Sequence, residues 1–391
     1  GDMRPRVAKA MRLPGPRGWT PALHYRNSLA LRSERIVIDS SARYAFRIEQ
    51  IYRPAIELTP ALTAKVSIRK RTPPAPPGQP PVSPAWAPPR DLGTFDGLSR
   101  DLRESPFAAE VDLAGLEDGP YVIDAEIFDG TTSLGAASLG VSLHKGLDAK
   151  LRSLEGAAAS IPEAFRADVV FPADVIANVN RGRTELGLFN VQAEIGKAES
   201  ILATAKRGKD PFKGRTGDFE RHYVLHGPNE VMPYRVYVPT TYAAAKATPL
   251  VIALHGLGGT EDRMFDNYQQ LPPKLAEQHG FLLAAPLGYR PDGFYGSPIM
   301  GATDAGSRRK TEYSEKDVLE VLRLMKAAYN VDESRIYLMG HSMGAIGTWA
   351  HGAKYGETWA ALVPFSGTGS PALAASMKHI PQFVVHGHAD N

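Results

Sequence analysis

Cysteine is absent from all 391 residues. That excludes disulfides, thiolate catalysis and zinc sites built on cysteine. No apolar run approaches the ~20 residues that cross a bilayer, so no membrane span is expected. The chain also lacks a dense basic block, and its net charge is only +3. Phosphate neutralisation needs clustered Lys and Arg, so nucleic acid is not an expected partner. Histidines and carboxylates do not recur at ligand spacing, which leaves no metal or other cofactor to expect. Residues 1–24 show no leader pattern and read as an N-terminal extension. No repeat of propeller-blade length is visible.

What is present divides into three textures. The apolar fraction of 43% with 22% charged residues is that of a globular chain, and its length implies two or three units. The first third alternates apolar and polar residues. Arg35–Asp39, Tyr44–Tyr52, Lys65–Arg69, Tyr121–Phe128 and Ala137–Leu143 all have the period-two pattern of strands. The stretch DGTTS supplies a hairpin turn between the last two. Residues 25–145 therefore predict a small antiparallel β-sandwich. Its 72–90 segment carries nine prolines between Pro73 and Pro89, a polyproline-like loop outside any ladder. Residues 146–212 are rich in Ala, Leu, Glu and Lys without alternation, and predict a helical connector. Val191, Ile195, Ile201 and Leu202 mark a stripe on one of its helices.

From residue 213 apolar runs alternate with helical patterns, which predicts an α/β unit. MPYRVYV (232–238) reads as an outer strand. PLVIAL (249–254) and FLLAA (281–285) read as strands covered on both faces. A helix is predicted from Ser314, with Asp317 three places on as in a capping box and Val318, Val321, Leu322 and Met325 inward. RIYLM (335–339) is a further strand, followed by a helix after Ser342, strand 359–365, a helix near Ser370 and strand 382–385.

RIYLM runs straight into Gly340-His341-Ser342-Met343-Gly344, a G-x-S-x-G in the strand–turn–helix setting of a nucleophile elbow. A serine attacking a carbonyl needs donors for the oxyanion that forms. The Met343 N–H is one candidate. The Gly-rich turn His255-Gly256-Leu257-Gly258-Gly259 after PLVIAL supplies another, and it lacks the Gly-Lys-Ser/Thr ending of a phosphate loop. The loop 289–309 shapes the pocket, with Phe294, Tyr295 and Met300 either lining an acyl site or packing.

Taken together, LVIALHGLGG, DVLEVL, NVDESRIYLMGHSMGAIGTW and QFVVHGHAD resemble the α/β-hydrolase esterases related to polyhydroxybutyrate depolymerases and feruloyl esterases, over about residues 218–391. The upstream sandwich resembles the Ig-like domain of some secreted esterases, which implies a secreted or periplasmic protein. The resemblance implies Ser342 as nucleophile, Leu257 and Met343 as backbone oxyanion donors, and Asp390 as the acid of a triad. His255 then props the oxyanion turn, His341 points away from Ser342, His351 packs, and His386 and His388 lie too near Asp390 to serve. The family's order is Ser, acid, His, and no histidine follows Asp390. The base, with the last strand and helix of the fold, is therefore expected beyond residue 391, in a continuous chain or a separate C-terminal fragment. Ser342 and Asp390 are expected at neighbouring strand ends. The implied activity is hydrolysis of a small or aromatic-acyl ester, free or polymer-attached. The rivals are a prolyl-oligopeptidase-type peptidase and a hydrolase-fold binding protein without activity.

Overall fold

A computed structural model describes residues 28–41, 43–52, 58, 61–71, 86–184, 186, 189–297 and 304–389. The extension 1–24, most of the proline-rich loop, Met300 and Asp390 lie outside the described residues. The chain separates into two compact units, Gly1–Gly156 with Pro172–Gly196 and Ala157–Phe171 with Lys197–Asn391.

Among the described residues of the first unit, eight strands form two sheets. The strands are β1 (Leu29–Arg32), β2 (Val37–Asp39), β3 (Arg43–Gln50), β4 (Ala61–Lys70), β5 (Arg90–Ser99), β6 (Phe107–Asp112), β7 (Gly119–Asp129) and β8 (Thr132–His144). The three-stranded sheet has the order β1-β3-β6, the five-stranded one β2-β8-β7-β4-β5. Alternation does what period two requires. Tyr44, Phe46 and Ile48 of β3 and Leu62, Ala64, Val66 and Ile68 of β4 point inward to one shared core with Ile123 and Ile127 of β7. The β7–β8 hairpin turns at Gly130, whose φ of +60° suits the turn. One pairing departs from the expected all-antiparallel sandwich: β2 runs parallel to β8. Three helices follow in the chain, α1 (Leu147–Ala158), α2 (Glu163–Asn180) and α3 (Val191–Lys206).

In the second unit a six-stranded sheet is built from β9 (Gly217–Leu225), β10 (Glu230–Val238), β11 (Thr248–Leu254), β12 (Leu282–Pro286), β13 (Val331–His341) and β14 (Ala361–Phe365). Its order is β14-β13-β11-β12-β10-β9. β10 is therefore not an outer strand. β9 pairs along its whole length and forms that edge, a pairing its mixed polar sequence does not advertise. β11, β12, β13 and β14 are parallel to their neighbours among themselves, while β9 and β10 are antiparallel.

The parallel strands are covered on both faces, as their apolar runs require. The helices are α4 (Arg263–Asp266), α5 (Leu271–His279), α6 (Ala305–Ala328), α7 (Met343–Lys354) and α8 (Ala374–Met377). Leu250, Ile252 and Leu254 of β11 pack with Val318, Val321, Leu322 and Met325 of α6 and Met343 of α7. Ala253, on the other face, packs with Met264 and Phe265 of α4 and Ala276 of α5.

Helix α6 begins at Ala305, nine residues before the start expected at Ser314. Asp304 is its true N-cap, its carboxylate accepting the Ser307 N–H at 2.9 Å. Ser314 and Asp317 lie inside the helix and are fully buried. Asp304→Ala should cost about 1 kcal/mol of stability, read as a lowered urea midpoint with an unchanged slope. An unchanged midpoint would show that the helix start does not depend on this cap.

Candidate active site

The site forms where parallel strands end. β13 runs out at His341, Ser342 takes the turn, and α7 starts at Met343. Ser342 has φ 54° and ψ −115°, a conformation costly for any residue with a Cβ. Three features hold it there. The Ser342 N–H donates to the Phe365 carbonyl at 3.0 Å, and the Ser342 carbonyl accepts the Ala345 N–H at 2.9 Å. Gly340 and Gly344 let the turn close: a Cβ on Gly340 would lie 2.2 Å from the Gly344 oxygen, and one on Gly344 2.2 Å from the Leu254 oxygen. Ser342 is half-buried, so its side chain remains within reach of solvent.

The Gly-rich turn after β11 lies against this serine. A Cβ on Gly256 would sit 3.3 Å from both Ser342 Cβ and His341 Nδ1. Gly259 N–H closes the turn on the Gly256 carbonyl at 3.0 Å, and Gly258 N–H donates to the Pro291 carbonyl at 2.8 Å. Leu257 exposes its side chain, 59% accessible, while Met343 is buried at the first position of α7. A first-turn N–H has no partner inside its own helix.

The histidines divide as their positions imply. His255 is buried under the Gly-rich turn, its Nδ1 2.8 Å from the Gly256 carbonyl and its Nε2 2.7 Å from the Leu287 carbonyl. Burial holds its pKa below the ordinary imidazole value, while the two carbonyls pull the other way. His341 stacks on Phe365 with ring centroids 5.2 Å apart, and Tyr268 meets it edge-on at 6.0 Å. His351 is buried on α7 beside the rings of Tyr355 and Trp359, and burial pushes its pKa down to about 4.

That shift has a stability consequence. A histidine whose folded pKa lies below its unfolded value makes the unfolded chain bind more protons between the two values. Stability is then fully present above pH ~6.5 and is lost as pH falls towards about 4. His351→Leu should flatten the fall of the urea midpoint between pH 7 and pH 5. An equally steep fall in that variant would remove His351 from the account.

One feature of the site carries no clear sequence signal. Tyr268, Gln269 and Gln270 stand consecutively in the left-handed region, with φ of 55°, 56° and 59°. None of the three is a glycine or an asparagine, the residues that take this conformation most readily. Tyr295, one of two readings for its loop, is fully buried and packs; it does not line an open pocket. Segment 382–385 joins the sheet edge through bridges Leu362↔Gln382 and Phe365↔Val385. It thus pairs with β14, so β14 stands between the strand that precedes Asp390 and the strand that carries Ser342. The expectation of adjacent strands was one strand too close.

The Esterase family matches residues 226–386. Feruloyl esterase B of Neurospora crassa is 31% identical over 161 residues, 39% of this chain and 50% of that protein. A bifunctional acetylxylan esterase/xylanase of Neocallimastix patriciarum is 30% identical over 159 residues, 40% of this chain and 21% of that protein. The chain thus spans half or less of the length of these two relatives. Among solved structures, a ferulic acid esterase of Anaeromyces mucronatus in complex with ferulic acid aligns at 15% identity and a TM-score of 0.34, over 44% of this chain and 83% of that one. Over residues 226–386 the chain is thus similar to the Esterase family and to these esterases.

Proposed function

We propose that the protein is a serine carboxylic-ester hydrolase. The observation that carries this reading is the strained Ser342 between β13 and α7, with the Gly256 turn against its Cβ. Ser342 Oγ attacks the ester carbonyl carbon while an imidazole, oriented by Asp390, takes its proton. The carbonyl oxygen becomes an oxyanion and accepts from the Leu257 and Met343 N–H groups. Collapse expels the alcohol, which leaves with the proton. Water then attacks the acyl-enzyme by the reverse route and frees Ser342.

The substrate class proposed is a small or aromatic-acyl ester, free or attached to a polymer. Support comes from the relatives' names, feruloyl and acetylxylan esterases, and from the aromatic rim of Tyr268, His341 and Phe365 beside the elbow. The two-sheet unit is proposed to be an Ig-like sandwich that contributes no catalytic group, and the protein to be secreted or periplasmic. No described helix is long and apolar enough to cross a membrane.

Feruloyl and acetyl esters offered beside a dipeptide amide test the reaction class in the full-length protein. Ester cleavage without amide cleavage is expected. Preference for the amide would favour a peptidase, and cleavage of neither would favour a binding role. Because the oxyanion donors are backbone groups, Leu257→Ala should change kcat less than about threefold, well below the roughly 10²-fold or larger loss on removal of an oxyanion donor.

A further inference from the structure

The Gly-rich turn has little of its own to fix its position. Its internal ties are the Gly259 to Gly256 hydrogen bond and the His255 Nδ1 contact with the Gly256 carbonyl, and the Leu257 side chain is out in solvent. Three further ties reach it from the loop 287–297 after β12. Leu287 offers its carbonyl to His255 Nε2, and Pro291 offers its carbonyl to the Gly258 N–H. The third tie is Tyr295, whose hydroxyl donates to the His255 carbonyl at 3.3 Å and whose ring meets the His255 ring edge-on at 5.6 Å.

Tyr295 is built in with unusual care. It is fully buried and has a φ of +50°, in the left-handed region that favours glycine. Room for its ring comes from two glycines. A Cβ on Gly288 or on Gly347 of α7 would approach Tyr295 to 2.6 Å. Two buried side chains of α6 hold the loop that carries it. Ser314 Oγ accepts the Tyr295 N–H at 3.0 Å, and the Asp317 carboxylate accepts the Tyr289 N–H at 2.8 Å and the Tyr223 hydroxyl. A strained, fully buried tyrosine persists where its surroundings over-determine it, and here they aim its hydroxyl at the turn beside the nucleophile.

We propose that Tyr295, held by Ser314 and Asp317 of α6, is a positioning residue that sets the placement of the oxyanion turn against Ser342. None of the three touches substrate; they act through His255 and the backbone of the turn. The inference rests on the reading of Ser342 as nucleophile and Leu257 as oxyanion donor. Its signature follows from that placement. Moving an oxyanion donor weakens the transition state while leaving ground-state binding almost untouched, so kcat falls and KM does not.

The experiment compares wild type, Tyr295→Phe, Ser314→Ala and Ser342→Ala of the full-length protein. Initial rates on p-nitrophenyl acetate give kcat and KM. The inhibition constant of an aryl trifluoromethyl ketone, which adds to the serine as a hemiketal and fills the oxyanion site, is measured beside them. Tyr295→Phe and Ser314→Ala should each lower kcat and ketone affinity together, by about tenfold, with KM within roughly twofold and the folded fraction unchanged. Wild-type kcat and ketone affinity in either variant would overturn the inference, as would a loss confined to KM or one that merely tracks the unfolded fraction. Should Ser342→Ala retain activity, the nucleophile reading itself fails. An inactive Ser342→Ala beside an unaltered Tyr295→Phe defeats this inference alone.

Discussion

Ser342→Ala should abolish ester hydrolysis, with a loss on the order of 10⁶ in kcat, the scale reached when a triad serine is removed. The fold should survive it. Ser342 holds its place through backbone bonds, its N–H to Phe365 and its carbonyl to Ala345 and Ile346, and alanine keeps all three. Replacing Oγ with hydrogen opens little space at a half-buried position. Melting temperature should therefore move by no more than a degree or two, since ~1 kcal/mol shifts a domain of this size by about 2–4 °C. Activity above a few per cent of wild type in this variant would mean that another residue performs the attack.

Gly344→Ala should also be damaging, though less so and for a different reason. The added Cβ would lie 2.2 Å from the Leu254 oxygen, 2.6 Å from the Leu254 carbonyl carbon and 2.8 Å from the His255 oxygen. All three are backbone atoms of β11 and the start of the oxyanion turn, so no rotamer change can relieve the contact. Either α7 withdraws from the sheet or the strand end moves, and each separates Ser342 from the Gly256 turn. Overpacking of this kind costs about 1–3 kcal/mol or more of stability. A displacement of ~1 Å at a reacting centre costs on the order of 10² in rate. The expected outcome is a variant with a lowered melting temperature and kcat down at least a hundredfold on that estimate. A variant that keeps wild-type kcat would show that the turn tolerates a side chain, contrary to the geometry.

The elements that position the nucleophile could be read because local chemistry dictates them. β11, β12 and β13 are apolar runs because both faces are covered. The elbow needs glycine at 340 and 344 because backbone passes there, and the Gly-rich turn needs Gly256 because Ser342 and His341 lie against it. His255 was read as a prop for that turn, and its ring sits between the Gly256 and Leu287 carbonyls. What escaped reading depends on distant partners. β5 (RDLGTFDGLS) is an edge strand with mostly exposed side chains, so neither composition nor alternation marks it. β9 shows only partial alternation, and its edge position is set by pairing with β10. The start of α6 was misplaced because Ser314 and Asp317 imitate a capping box. They are polar for another reason, as acceptors for the loop 287–297. Tyr295 reads equally well as lining an acyl site or as packing, and nothing local marks its bond to the His255 carbonyl.

The most direct measurement is covalent labelling of the full-length protein with a fluorophosphonate, followed by mass spectrometry of the peptide that carries the adduct. Only a serine activated by a base reacts with such a probe at useful rates. The account predicts one adduct per chain, on Ser342 within the peptide that spans Gly340 to Gly344, and loss of ester hydrolysis in step with labelling. An adduct on another residue, or steady ester hydrolysis by protein in which Ser342 stays unlabelled, would contradict it.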